Sequence, residues 1–219
     1  MITSETSQSS AFDNLDIVHL ISKSKFPVFL AKVGQEYYAL KLFPQQPQGN
    51  CSKVFLREAS FMDLNHPNVI SIKHVQQSRE FIISHGRKSG HYSYIVMEYA
   101  PFGTFYDVIK ERKVPFDERL ARTYFQQLIE GLEYLHQNKV AHLDLKAENL
   151  LLGDNLKLKI ADFDLSYREG SGKILSYGTK YFRAPEVIKG EIMDPYKADI
   201  FSAGILLFAF LTSGNIPQC

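Results

Sequence analysis

The sequence predicts an α+β fold in two lobes, a small antiparallel β lobe carrying one helix and then a mainly helical lobe. Three observations lead there. Two β-type runs, Val28 to Lys32 and Tyr37 to Phe43, are separated by Val33, Gly34, Gln35 and Glu36, which is the spacing and turn chemistry of a hairpin with a short loop. Leu120, Tyr124, Leu128, Leu132 and Leu135 recur at helical spacing, so a long helix is expected from Asp117 to His136. The longest apolar segment, Ile205 to Leu211, falls well short of the roughly 20 residues a membrane-spanning helix needs. It reads as the end of a buried core helix that starts near Asp199.

Taken in order, residues 1–15 open with MITSETSQSS, which lacks the basic then apolar order of a secretory signal and reads as a disordered polar arm. The first lobe is assigned to residues 16–98 and the second to 99–219, with the join near Glu98 to Gly103. The hairpin places Lys41 on a strand. After a Pro, Gln and Gly-rich loop (Pro44 to Asn50), a helical pattern sets Val54, Phe61, Met62 and Glu58 on one face. A carboxylate on an apolar stripe needs a buried partner. Pro67 ends this helix. Strand-like runs at Phe81 to Ser84 and Tyr92 to Met97, with a turn from Gly86 to Gly90, complete the small sheet. In the second lobe a short hairpin is expected around Gly153 and Asp154.

Composition narrows the function classes. With 25 basic and 24 acidic residues the net charge is +1, which gives no general attraction to nucleic acid or anionic membrane, so any anion must be held by a local site. The 2 cysteines, Cys51 and Cys219, cannot form a disulfide framework, and this usage suits a reducing intracellular, cytoplasmic setting. Cys51 is expected to be an inert surface thiol.

The densest chemistry lies in HLDLKAENLLL, His142 to Leu152. Asp144 can accept a proton from a hydroxyl, Lys146 can neutralise charge on a moving phosphoryl group, and Asn149 can offer a carbonyl oxygen to a magnesium ion. His142 itself, like Tyr124 and Phe125, reads as a packed core residue. The stretch resembles the catalytic loop of eukaryotic protein kinases, with Leu143 where that family usually carries arginine. YALK, ending at Lys41, is similar to the family's third-strand lysine motif. That likeness implies that Lys41 holds the α and β phosphates of ATP and that Glu58 orients it by ion pairing. ADFDLS, Ala161 to Ser166, resembles the metal-binding segment, making Asp162 and Asn149 the expected Mg2+ ligands and Phe163 a packing wedge. GTKYFRAPEV, from Gly178, is similar to the end of an activation segment, with Thr179 hydrogen-bonded near Asp144 and Lys146. VMEYAPFG resembles the hinge, which places Met97 at the back of the adenine pocket and the backbone of Glu98 and Ala100 on adenine. Leu20, Val28, Ala39 and Leu151 would form the apolar walls. The pairing of Lys146 with Thr179 resembles the serine/threonine class, in the style of calmodulin-dependent-type kinases.

Singly, each piece has a plain structural explanation: a strand lysine is usually solvated and an Asp-Phe-Asp is usually a turn. Five in the family's order and spacing are not explained that way.

The departures are as specific. LISKSKFPV places Ile21, Lys23 and Phe26 where glycines would let the backbone approach phosphates, so ATP binding is expected to be weak. Asp164 replaces a glycine. Leu143 removes a partner for activation-segment phosphate, and the usual phosphosite falls near Leu175, which has no hydroxyl; Ser171 and Ser176 are the nearby alternatives. Activation independent of segment phosphorylation is the expectation. The family's last helices, one of which carries the arginine partner of Glu186, would lie beyond Cys219. A second lobe without them would be marginal, since exposing about 400 Å² of apolar surface costs roughly 10 kcal/mol.

Two functions are therefore expected from the resemblance. The first is ATP- and Mg2+-dependent transfer of a γ-phosphoryl group to serine or threonine of a protein substrate, with no nucleic-acid or membrane partner. The alternative is a pseudokinase or truncated kinase-fold binding module with weak or no catalysis.

Overall fold

A computed structural model describes residues 11–45, 51–83, 88–111, 116–172, 174, 178–190, 194–212 and 214–217. The chain forms two compact units, one from residues 1–52 and 73–99 and the other from 53–72 and 100–219.

The first unit is a five-stranded sheet of β1 (Asp16–Ser22), β2 (Val28–Val33), β3 (Glu36–Pro44), β4 (Ile72–Ile83) and β5 (Lys88–Glu98), in the order β1-β2-β3-β5-β4. The expected hairpin forms, with Val33 facing Glu36 and Gly34 at φ +60° in the turn, a region that glycine enters without a steric cost. Opposite residues in an antiparallel sheet share a face. One face buries Phe29, Ala31, Leu40, Leu42, Phe81, Tyr94 and Val96 with Leu15. The chain is already ordered at Ala11–Asp13, a short 3-10 turn, and Phe12 packs on this cluster. The fold thus begins before residue 16, because Phe12 and Leu15 supply apolar cover for the sheet. The expected turn at Gly86 to Gly90 is also shorter: Lys88 to Gly90 belong to β5, and Gly86 lies outside the described residues.

In the second unit, α1 (Lys53–Ala59) is followed by turns that carry Phe61 and Leu64 into the interior, while Met62 is 48% exposed. Met62 is thus not on the buried stripe, because the helix ends at Ala59 and the helical period stops with it. α1 and its extension belong to this unit for identifiable reasons. Arg168 grips Asp63 with two nitrogens at 2.8 and 2.7 Å, the Asn65 amide donates to the Tyr134 hydroxyl at 2.8 Å, and Ile70 and Asn68 exchange backbone bonds with Ile160 at 2.9 and 2.8 Å.

The remaining elements are α2 (Phe105–Glu111), α3 (Glu118–Gln137), β6 (Val140–Ala141), β7 (Leu150–Leu152), β8 (Leu158–Ile160), β9 (Tyr167–Arg168), α4 (Pro185–Lys189) and α5 (Pro195–Leu211). Asp117 caps α3 by accepting from the Leu120 amide at 2.7 Å, the usual service of an aspartate at that position. The predicted stripe is the one that packs: Tyr124, Leu128, Leu132 and Leu135 are buried. α5 starts four residues earlier than expected, at a proline after the capping Asp194, a sequence well suited to a first helical turn. Gly131 is required on α3, since a Cβ there would lie 2.9 Å from the Asn68 carbonyl oxygen and 3.0 Å from Ile160. Phe105, Phe116, Tyr124 and Phe210 form an aromatic cluster with centroids 4.7 to 6.2 Å apart. Among the described residues, no helix is long and apolar enough to cross a membrane.

Candidate active site

The residues singled out in the sequence divide between the units. In the first, β3 faces Val28 of β2 with Lys41, and Met97 of β5 with Ala39. Val28, Ala39, Lys41 and Met97 therefore share the sheet face opposite the Phe29 cluster. Lys41 is buried, at 5% exposure, with Nζ 5.5 Å from the Phe43 ring centroid. Leu20 is set apart from them, because its register partner is Phe29, on the other face, and it is 43% exposed. The stretch expected to cover phosphates does two things. Ile21 remains on the exposed strand β1, whereas Phe26 is buried and packs on Phe43 at 4.8 Å. The Phe26 position thus carries a core side chain where the family pattern has a glycine.

In the second unit the catalytic-loop residues converge. Lys146 Nζ donates to Asp144 Oδ2 at 2.7 Å and to Thr179 Oγ1 at 3.1 Å, and Thr179 Oγ1 donates to Asp144 Oδ1 at 2.9 Å. Asn149 Nδ2 donates to the Asp144 carbonyl at 2.9 Å and to its Oδ2 at 3.1 Å. Both Asp144 oxygens are thereby fixed, with the side chain 10% exposed. Gly178, at φ +70°, allows Thr179 to come this close. A Cβ at residue 178 would collide with the Leu143 carbonyl oxygen and lie 2.9 Å from Asp144 Oδ1. Arg183 steadies the approach by donating twice to the Gly178 carbonyl, at 2.9 and 2.6 Å.

Beneath the loop lies a carboxylate that the sequence reading passed over. Asp199 of α5 is fully buried and accepts from the amides of His142 and Leu143 at 2.8 and 2.7 Å, and it meets His136 Nε2 at 2.9 Å. A buried carboxylate this well hydrogen-bonded acts as a rigid staple. Its signal in the sequence was an aspartate at the head of a mainly apolar run, Ile200 to Leu211. His142 is itself core, as expected. It is fully buried, accepts from the Asp144 amide at Nδ1 and, with Nε2 carrying the proton, donates to the Ala161 carbonyl at 3.0 Å.

The Ala161 amide donates to the Asn149 carbonyl at 2.9 Å, which ties the segment carrying Asp162 to the loop carrying Asn149. Asp162 adopts φ +67°, and Phe163 is buried against Phe61 and His142 at 5.3 Å from each ring. Asp164 is not among the residues with positive φ, so replacement of the family's glycine imposes no left-handed strain at this position. Its carbonyl accepts from Arg57 of α1 at 2.9 Å. Carboxylate oxygens of Glu58, Asp162 and Asp164 lie within 4.8 Å of one another, and Glu58 is 1% exposed. Such a set suits a hard cation, which takes oxygen donors, and both bonds of the Asn149 side chain use its nitrogen, leaving its oxygen for the same purpose. The residues present therefore fit Mg2+. Leu151 lies half-buried on β7, opposite Lys159 of β8. Glu98 closes β5 opposite Tyr38, and Ala100 is the first residue of the long second segment of the second unit.

Of the regulatory candidates, Ser171 Oγ is engaged with the Arg168 carbonyl at 2.6 Å, while Leu175, Ser176 and Cys219 lie outside the described residues. Cys51 is half-buried, its thiol accepting from Ser93 Oγ at 3.4 Å. Among the described residues Glu186 has no ion pair.

Residues 27–218 match the family model described as a protein kinase domain. The chain is 40% identical over 164 residues to human NUAK family SNF1-like kinase 2, covering 74% of this chain and 24% of that one. It is 39% identical over 164 residues to the carbon catabolite-derepressing protein kinase of Candida tropicalis, covering 74% and 24%. A rice relative, CBL-interacting protein kinase 26 of Oryza sativa subsp. japonica, is 41% identical over 167 residues, covering 74% and 31%. The chain thus spans about a quarter to a third of the length of these three relatives.

Proposed function

The chain belongs to the protein kinase domain family, and on that premise we propose that it transfers the γ-phosphoryl group of ATP to serine or threonine hydroxyls of a protein substrate. One observation carries the reading: Asp144 has both carboxylate oxygens held by Lys146, Thr179 and Asn149. In the step proposed, the substrate oxygen bonds to the γ-phosphorus as the β–γ bridging bond breaks, ADP leaves, and Asp144 takes the hydroxyl proton. Lys146 offsets negative charge gathering on the transferred group. Lys41 holds the α and β phosphates, the role that the family likeness implies for it. Thr179 helps seat the acceptor hydroxyl. Asn149 and Asp162 would hold Mg2+, which supplies neutralisation of the phosphate oxygens. Val28, Ala39 and Met97, which share one sheet face, furnish apolar contact for adenine, and Glu98 a backbone hydrogen bond.

A second reading draws on a different observation. Phe26, buried on Phe43, gives the phosphates no free glycine backbone, as expected of a kinase-fold binding module with little turnover. A magnesium-dependent assay with ATP and casein, run beside Asp144→Asn, separates the two. The enzyme reading expects the variant to lose about 10² to 10⁴-fold in rate, the usual worth of a positioned general base. A wild type no faster than the variant leaves the binding module.

A further inference from the structure

Leu143 is placed unlike its neighbours in the loop. It adopts φ +63°, a conformation that residues bearing a branched side chain rarely hold without outside support. Support comes from three directions, all within the second unit. Its amide donates to the buried carboxylate of Asp199 at 2.7 Å. Its carbonyl oxygen is the group that a Cβ on Gly178 would strike. Its side chain, 6% exposed, is buried with Ala141, Ala184 and Ala198, and Ile174, Val187 and Phe201 pack around that cluster. Ile174 and Ala184 each lie five residues from Thr179, on opposite sides of it. The residue before Thr179 touches the Leu143 backbone, and Thr179 itself bonds to Asp144, the next residue after Leu143.

We infer that Leu143 is a positioning residue, an apolar pin whose packing helps fix Thr179 relative to Asp144, beside the hydrogen bonds made by Lys146, Arg183 and Asp199. The inference rests on the phosphoryl-transfer reading above. Packing to a fixed geometry is what makes such a pin sensitive: loss of its outer carbons leaves space into which the segment around Thr179 can relax. A displacement near 1 Å in a reacting constellation can cost about 100-fold in rate.

The test uses the full chain, shown by mass spectrometry to carry no phosphate, with ATP, Mg2+ and casein. Leu143→Ala is expected to lower kcat by about 10 to 100-fold while KM for ATP stays within about twofold. Leu143→Met, which nearly conserves volume, is expected to recover most of the rate. Hydrogen exchange should quicken at the amides of residues 144–149 and 178–183 in the alanine variant and stay unchanged along α3. Unchanged kcat in Leu143→Ala, a methionine variant as slow as the alanine one, or a rise in KM that accounts for the loss overturns the inference. If the unmodified wild type transfers no phosphate while the exchange pattern appears as expected, the functional reading fails and the pin stands. Unchanged exchange at Asp144 and Thr179 refutes the pin whatever the activity. Should Leu143→Ala not fold, Ile174→Ala carries the same kcat and exchange readouts from the edge of the cluster.

Discussion

The catalytic loop and strand β1 are short stretches of similar length, and they are held in opposite ways. From His142 to Leu150 the chain buries His142, Leu143, Leu145, Ala147, Asn149 and Leu150, donates to Asp199 and accepts from Ser166 and Thr179, residues distant in sequence. All seven residues of β1 are exposed, and its named strand neighbour is β2 alone, in a register interrupted at Val18 and Ile21. The loop is therefore fixed by the fold of its whole unit. Local pairing alone defines β1. On the proposed function, chemistry that needs atoms aligned to a fraction of an ångström falls to the first kind of segment, and the stretch whose family counterpart covers the nucleotide begins in the second.

The sharpest way to break this contrast is Asp199→Ala. It orphans two buried amides and the His136 partner, and the expected loss is about 3 to 5 kcal/mol of stability, read by urea denaturation. A loss below about 1 kcal/mol would mean that the loop is not stapled from below. Next comes Gly131→Ala, which presses a methyl onto the Asn68 carbonyl and Ile160; overpacking of this kind costs about 1 to 3 kcal/mol, and thermal melting would report it. By contrast Val18→Ser and Ile21→Ser on β1 should each change stability by no more than about 0.5 kcal/mol. A larger fall would show that β1 is held by more than its pairing with β2.

The smallest effect is a dependence on pH. His66 stacks on Tyr134 at 4.9 Å and accepts from the Asn68 amide through Nδ1 at 3.1 Å, and burial holds its pKa below the ordinary histidine value, with Glu130 opposing and Lys159 reinforcing. Because the folded value lies below the unfolded one of about 6.5, the neutral ring's contribution is complete above that pH. It is lost as pH falls through the folded value. His66→Gln should flatten this part of the profile between about pH 7 and pH 5. Asp63 works the same way at lower pH: the Arg168 hydrogen bond depresses its pKa, so its contribution holds above about pH 3.9 and fades as pH falls through the lowered value. Its exposure keeps that contribution small.

Much of this was legible in the sequence, and what was not has a physical explanation. The β2–β3 hairpin and α3 were readable because their signals are local: a turn of suitable residues in one, a repeated apolar spacing in the other. Asp144, Lys146 and Asn149 were readable because their spacing within a single loop constrains the chemistry. Thr179 came into view only through the family likeness, since its bond to Asp144 joins residues 35 apart. α2 and α4 were missed, being only seven and five residues long, too short to display a period. Leu20 was placed with Val28 by counting along the chain, and the register interruption at Ile21 moved it to the other face. Asp199 and the Asp63–Arg168 pair act across 57 and 105 positions. A local window can show a charged residue at one end of such a bond but not its partner at the other.

The segment from 53 to 72 also changes what counts as a piece of this protein. Its Asn68 and Ile70 supply backbone partners to Ile160, and its Asn68 side chain donates to the Leu158 carbonyl at 2.9 Å. A gene cut after residue 98, where the linear order suggests a boundary, would yield a second fragment missing that insert. The amide of Ile160 would lose its acceptor, the ring of Phe163 would lose Phe61, and the groove over α3 that receives Asn68 would lie open. A faithful dissection would have to carry residues 53–72 along and rejoin them by a linker. Physical halves and consecutive halves are different objects in this chain.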